Sequence, residues 1–183
     1  MKIFCIGYPR TGTTSVSRAL GKLGYRDWHY EAKFYEQTVH ALKTGEFPEN
    51  IIQEYDSFAD IPICIIYKKL DKLYPSSKFI LITREKQSWF SSMGWMLAKM
   101  ISKKRPNEHN ELLWTNIYPE KIDEHTKDVV EYFSGNEDRL LVKDINEVNF
   151  SILAKFLNID SSMANCETVP NPTGFVHLNK RGS

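Results

Sequence analysis

The run Gly7-Tyr8-Pro9-Arg10-Thr11-Gly12-Thr13-Thr14 gathers the residue types that an anion site needs. A glycine near each end lets the backbone turn tightly, with its N–H groups pointing inward. Arg10 adds a cation, and Thr11, Thr13 and Thr14 add hydroxyls. Thr13 and Thr14 stand where a helix is expected to begin, so helix-start amides and their partial positive charge join the loop. The chemistry this predicts is recognition of a phosphate-like group. Without a ligand, the same residues would form only a glycine-rich turn between a strand and a helix.

One position narrows the chemistry. In the nucleotide-hydrolase form of such a loop, GxxxxGK[ST], a lysine follows the second glycine, whereas here that place is Thr13 and the basic residue is Arg10 inside the loop. Phosphoryl transfer relies on that lysine and on Mg²⁺ held by a strand-end Asp. The apolar run Lys78-Phe79-Ile80-Leu81-Ile82-Thr83 ends instead in Arg84. Ser92 follows eight residues later and Ser88 one turn earlier on the same side of the predicted helix. An Arg fork and a Ser hydroxyl at the carboxyl end of a parallel strand suit a phosphate monoester. A surface Arg beside a Ser-rich helix is the alternative. Trp89 reads as a core residue, with a flank to a nucleotide as its other reading.

Together these motifs resemble those of the sulfotransferases. Tyr8-Pro9-Arg10-Thr11-Gly12-Thr13-Thr14 is similar to that family's 5′-phosphosulfate loop, commonly written PKSGTT or PRSGTT. Arg84 followed by Ser92 is similar to its 3′-phosphate motif. Asp60-Ile61-Pro62, Tyr74-Pro75, Leu140-Leu141-Val142, Phe156-Leu157 and Val169-Pro170-Asn171 extend the resemblance from the first strand to about Asn171. The resemblance implies a three-layer α/β/α fold with a central parallel sheet, of the P-loop nucleotide-binding type. It implies an enzyme that moves a sulfuryl group from 3′-phosphoadenosine 5′-phosphosulfate (PAPS) to a hydroxyl or amine, leaving 3′-phosphoadenosine 5′-phosphate (PAP). The acceptor would be a small molecule or a glycan. Arg10, Thr11, Gly12, Thr13 and Thr14 would hold the phosphosulfate, Arg10 would neutralise charge at the bridging oxygen, and Arg84 and Ser92 would hold the 3′-phosphate. The Arg-Lys-Gly phosphate motif of larger members has only a distant echo in Lys180-Arg181-Gly182, for which a basic tail is the plainer account.

Sulfuryl transfer needs the acceptor's proton removed and the leaving phosphate's charge stabilised, and requires no metal. Many members use a His two residues before a Pro as the base; the corresponding place here is Asp60. The plainer reading is that Asp60 caps the helix that Pro62 opens, and the two roles are compatible. His29, in Asp27-Trp28-His29-Tyr30, is the rival base. His40, His109 and His125 are expected on solvated stretches and His177 in the tail, and no His pair has metal-ligand spacing supported by Cys or Asp. Two other functions share the pocket. One is a nucleotide kinase or hydrolase, against which Thr13 stands. The other is a non-catalytic nucleotide-binding protein that has lost its acceptor site.

The elements that must position these residues follow from periodicity. Ile3–Ile6 is a short buried strand, Thr13 to Leu23 a helix, Phe34 to Leu42 a second helix, and Ser57 to Asp60 a strand end. Helices are predicted over Ile63 to Leu73, Ser88 to Ile101, Ile122 to Phe133 and Asn149 to Leu157. Strands are predicted over Lys78 to Thr83 and Arg139 to Val142. The alternation points to a single α/β domain over residues 1–183, with an irregular segment from about residue 160.

Composition bounds the rest. Lys+Arg and Asp+Glu stand at 24 and 23, a net charge of +1, which argues against a dedicated duplex-binding protein. The three cysteines are odd in number and in no CxxC pairing, which excludes a disulfide scaffold and favours a reducing compartment. The opening MKIFCIGYPR has too short an apolar run for a signal peptide, and no later stretch is long enough to span a membrane. A cytoplasmic protein is the expectation. The Lys103-Lys104-Arg105 cluster reads as a solvated loop.

Overall fold

Every residue between Lys78 and Thr83 is apolar, a composition suited to a strand covered on both faces. In the computed structural model, which describes residues 1–102 and 121–159, this run is the longest strand of the sheet. The elements are β1 (Ile3–Cys5), α1 (Thr13–Lys22), β2 (Asp27–His29), α2 (Tyr35–Thr44), α3 (Glu49–Glu54), β3 (Ser57–Ala59) and α4 (Ile63–Leu73). They continue with β4 (Lys78–Thr83), α5 (Lys86–Ser102), α6 (Lys121–Tyr132), β5 (Leu140–Asp144) and α7 (Phe150–Phe156).

All five strands run parallel, in the order β2-β3-β1-β4-β5. Alternate residues of each strand face opposite layers. Phe4, Phe58, Phe79 and Leu81 pack against Ala41, Ile52, Ile63, Leu70, Val129 and Phe133, which belong to α2, α3, α4, α6 and its C-terminal edge. Ile3, Cys5, Ala59, Ile80 and Ile82 pack against Val16, Ala19 and Leu20 of α1 and Leu153 of α7. The result is the three-layer α/β/α arrangement of the P-loop type.

Connectivity then places the site. After β1 the chain crosses over β3 to reach β2, whereas after β4 it moves the other way, to β5. The connections leaving the adjacent strands β1 and β4 therefore diverge at their carboxyl ends, and a crevice opens between them.

Two elements depart from expectation. β2 and α3 lie in stretches with no visible periodicity. β2 is three residues at the sheet edge, and only Trp28 of it is buried. α3 is six residues entered from Pro48, shorter than any window that shows a helical repeat. Elsewhere, boundaries moved by one or two residues, the size of fraying at element ends. The readings on Lys103-Lys104-Arg105, His109, Cys166, His177, Val169-Pro170-Asn171, Lys180-Arg181-Gly182 and the segment from residue 160 lie outside the described residues.

Candidate functional site

Gly7 through Gly12 form the loop between β1 and α1. A Cβ on Gly7 would lie 2.6 Å from Thr11 Oγ1 and 2.8 Å from the Ile82 carbonyl oxygen, so no side chain fits without displacing backbone. Gly12 is the residue before α1 at φ 102°, and it supplies no side-chain cap. The opening N–H groups of α1 are thus left facing the crevice without a side-chain acceptor, where an anion would complete them. Thr11 is buried and spends its hydroxyl on the Tyr8 carbonyl, 2.7 Å away. Its contribution is to loop shape. Thr13 is also buried, and Thr14 is half-buried at the rim.

Arg10 adopts φ 71°, a left-handed conformation that costs a non-glycine residue about 1–3 kcal/mol. Three hydrogen bonds and a ring contact from the β4–α5 side hold the loop in this shape. The Trp89 indole Nε1–H donates to the Pro9 carbonyl at 2.8 Å. Arg84 Nη1 donates to the Arg10 carbonyl at 2.8 Å. Arg10 Nε donates to Ser92 Oγ at 2.9 Å, and its guanidinium lies over the Trp95 ring at 5.6 Å. Burial, reinforced by the charge of Arg84 and partly offset by Asp60, pushes the Arg10 pKa down. Among the described residues Arg10 has no ion-pair partner, so an incoming anion would relieve this cationic crowding.

Arg84 follows directly on the end of β4, as expected, and its Nε donates to Ser88 Oγ at 3.0 Å. Ser92 instead bonds Arg10. All three residues line one cleft of about 830 Å³, together with Gly12, Thr13, Thr14, His29 and Asp60. Trp89, wholly buried, is a core residue and a strut for the loop.

The opposite end of the cleft is built from the ends of β2 and β3. Asp60 sits at φ 77°. Its Oδ1 accepts the Ile61 N–H at 2.9 Å, and its Oδ2 lies 3.4 Å from His29 Nε2. The expected capping role is corrected here: the residue before α4 is Pro62, with no side-chain cap. The left-handed turn at Asp60 aims the carboxylate away from the helix amides, toward His29. His29 Nε2 is also 3.2 Å from Thr14 Oγ1. The two candidate bases are therefore neighbours in one cluster.

His125 corrects a second expectation. It is 9% exposed, stacked on Tyr8 at 4.3 Å, and bonded through Nε2 to the Ile6 carbonyl at 2.7 Å. Burial pushes its pKa down. Its spacing from Ile122 and Val129, three and four residues away, marks the inward face of α6 and could have revealed this. Trp95, Met96, Ile145 and Asn146 also line the cleft and were not singled out. Asn146 lies two residues past the end of β5, where parallel strands present ligand-binding loops, and that rule could have found it. Trp95 lies three residues past Ser92, on a neighbouring face of α5.

A parallel sheet with a phosphate-type loop after its first strand and a crevice at the topological switch defines a P-loop-type α/β/α protein. The sulfotransferase domain family matches residues 2–118, more than half of the chain, and the chain belongs to that family. It is also 34% identical over 119 residues to Ava biosynthesis cluster protein M of Aspergillus versicolor. That match covers 56% of this chain and 45% of the relative, so the chain spans less than half of that protein's length. Among the described residues no helix is long and apolar enough to cross a membrane.

Proposed function

We propose that this protein transfers a sulfuryl group from PAPS to a hydroxyl or amine of a small-molecule acceptor. The observation that carries this reading is the cleft's composition: a cationic loop and an uncapped helix start in the middle, Arg84 and Ser88 on one side, and Asp60 with His29 on the other. The donor, when bound, supplies an activated sulfuryl group next to its 5′-phosphate. Gly12, Thr13 and Thr14 would offer amides and hydroxyls to its anionic groups, and Thr11 keeps the loop's shape. Arg10 would stabilise negative charge that develops on the leaving phosphate. Arg84, with Ser88 bonded to it and Ser92 in the same cleft, would hold the 3′-phosphate as a charge-assisted pair. Asp60 would accept the acceptor's proton. The relative's name places that protein in a biosynthesis cluster, which agrees with a small-molecule acceptor.

Calorimetric titration tests the reading with PAP and with ATP, each with and without Mg²⁺. Metal-independent binding of PAP with no binding of ATP is the expected result. Mg²⁺-dependent ATP binding would instead indicate a kinase or hydrolase. PAP binding without sulfuryl transfer to any acceptor would indicate a nucleotide-binding protein.

A further inference from the structure

β2 ends at His29 and β3 ends one residue before Asp60, and paired strands bring the two side chains together beside the start of α1. His29 Nε2 lies 3.2 Å from Thr14 Oγ1 and 3.4 Å from Asp60 Oδ2. Its Nδ1 lies 3.3 Å from the Tyr30 carbonyl oxygen. A carbonyl oxygen and an ionised carboxylate can only accept. Each ring nitrogen therefore faces an oxygen that calls for a hydrogen on the ring, and the neighbours decide where hydrogens sit. A threonine hydroxyl can both accept and donate. Sharing the Nε2 hydrogen with Asp60, Thr14 is cast as acceptor, and its own proton is left for a partner in the cleft.

We propose that His29 is a positioning residue whose Nε2–H, shared between Asp60 and Thr14, orients the carboxylate and turns the Thr14 hydroxyl proton toward an anion in the loop. His29 then presents no bare Nε2 to the acceptor and is not the base. That role is left to Asp60, whose two oxygens are held by the Ile61 N–H and by His29. A single imidazole thereby links the anion loop to the proton-accepting end of the cleft. The effect on binding rests on the proposed nucleotide reading; the place of the hydrogen on Nε2 does not.

Two measurements test it. The first is nitrogen NMR of the ¹⁵N-histidine-labelled, unliganded protein near neutral pH, with the His29 signals identified by their loss in His29→Gln. A hydrogen bonded to Nε2 is expected; a bare Nε2 overturns the proposal. The second is a calorimetric cycle with PAP on the parent, Thr14→Val, His29→Leu and the double variant. Thr14→Val should weaken binding roughly 2- to 12-fold in the parent, the worth of one hydrogen bond, and hardly at all beside His29→Leu. His29→Gln, which keeps an N–H donor, should restore the dependence on Thr14. An equal loss in both backgrounds overturns the coupling. Failure of the parent to bind PAP would remove the proposed function, and the NMR result would still decide the position of the hydrogen.

Discussion

The two ends of the cleft are built in opposite ways. The loop end is one contiguous stretch, Gly7 to Thr14, with its shape dictated locally by two glycines and then secured by struts from Trp89, Arg84 and Ser92. The Asp60 end is composite: His29, Asp60 and Thr14 come from three elements and meet only because β2 pairs with β3 beside α1. Both ends hold a non-glycine residue in the left-handed region, Arg10 at φ 71° and Asp60 at φ 77°. Strain of this kind persists only where surroundings over-determine it, and it gathers at functional sites. At the loop that over-determination comes from side chains reaching main-chain carbonyls. At Asp60 it comes from a main-chain amide and a histidine reaching the carboxylate.

Substitutions at the two ends should therefore fail differently. Asp60→Asn has the largest expected effect: turnover should fall about 10²–10⁴-fold, the span for losing a general base, while PAP affinity changes little. Steady-state rates beside calorimetry check this, and parent-like turnover would move the base elsewhere. Arg84→Ala comes next, on the loop side. It should weaken PAP binding roughly 10- to 150-fold, equivalent to about 1.5–3 kcal/mol for a charge-assisted bond. Part of that loss should extend to a nucleotide lacking the 3′-phosphate, because Arg84 also braces the Arg10 carbonyl. Equal loss for both ligands would reduce Arg84 to a brace alone.

Trp89→Phe separates loop support from ligand contact. It leaves the Pro9 carbonyl without the indole donor and should cost about 1–3 kcal/mol of stability, as for an unsatisfied buried acceptor. Chemical denaturation measures this, and the Asp60 end should be untouched once nucleotide is saturating. The smallest effect concerns His125, packed beneath Tyr8. Its pKa is held below the ordinary 6.5, chiefly by burial. The unfolded chain then binds a proton that the folded chain refuses, so stability is full above 6.5 and falls as pH drops through the depressed value. Denaturation midpoints should fall from about pH 7.5 to about pH 5.5, with a shallower fall in His125→Gln.

The amino-acid sequence by itself determined the fold class, the glycine-rich turn between β1 and α1, and the place of Arg84 at the end of β4, because each depends on neighbours in the chain. Continuous apolar runs between glycines and prolines mark parallel strands, and a strand end followed by a glycine-rich turn and a helix start fixes the local backbone path, with helix-start amides at the turn. Tertiary structure alone decided the rest. Asp60 could be a helix cap or a base, and only the left-handed turn before Ile61 takes its carboxylate off the helix amides. Ser92 could face Arg84, yet it bonds Arg10, because the Arg10 guanidinium reaches α5 between Ser92 and the Trp95 ring. His29 and Asp60 read as rivals when set 31 residues apart, whereas pairing of β2 with β3 makes them neighbours, with His29 Nε2 3.4 Å from Asp60 Oδ2. Short-range pattern encodes backbone conformation and burial, but which donor meets which acceptor is settled by strand order and register, and those follow from packing the whole sheet.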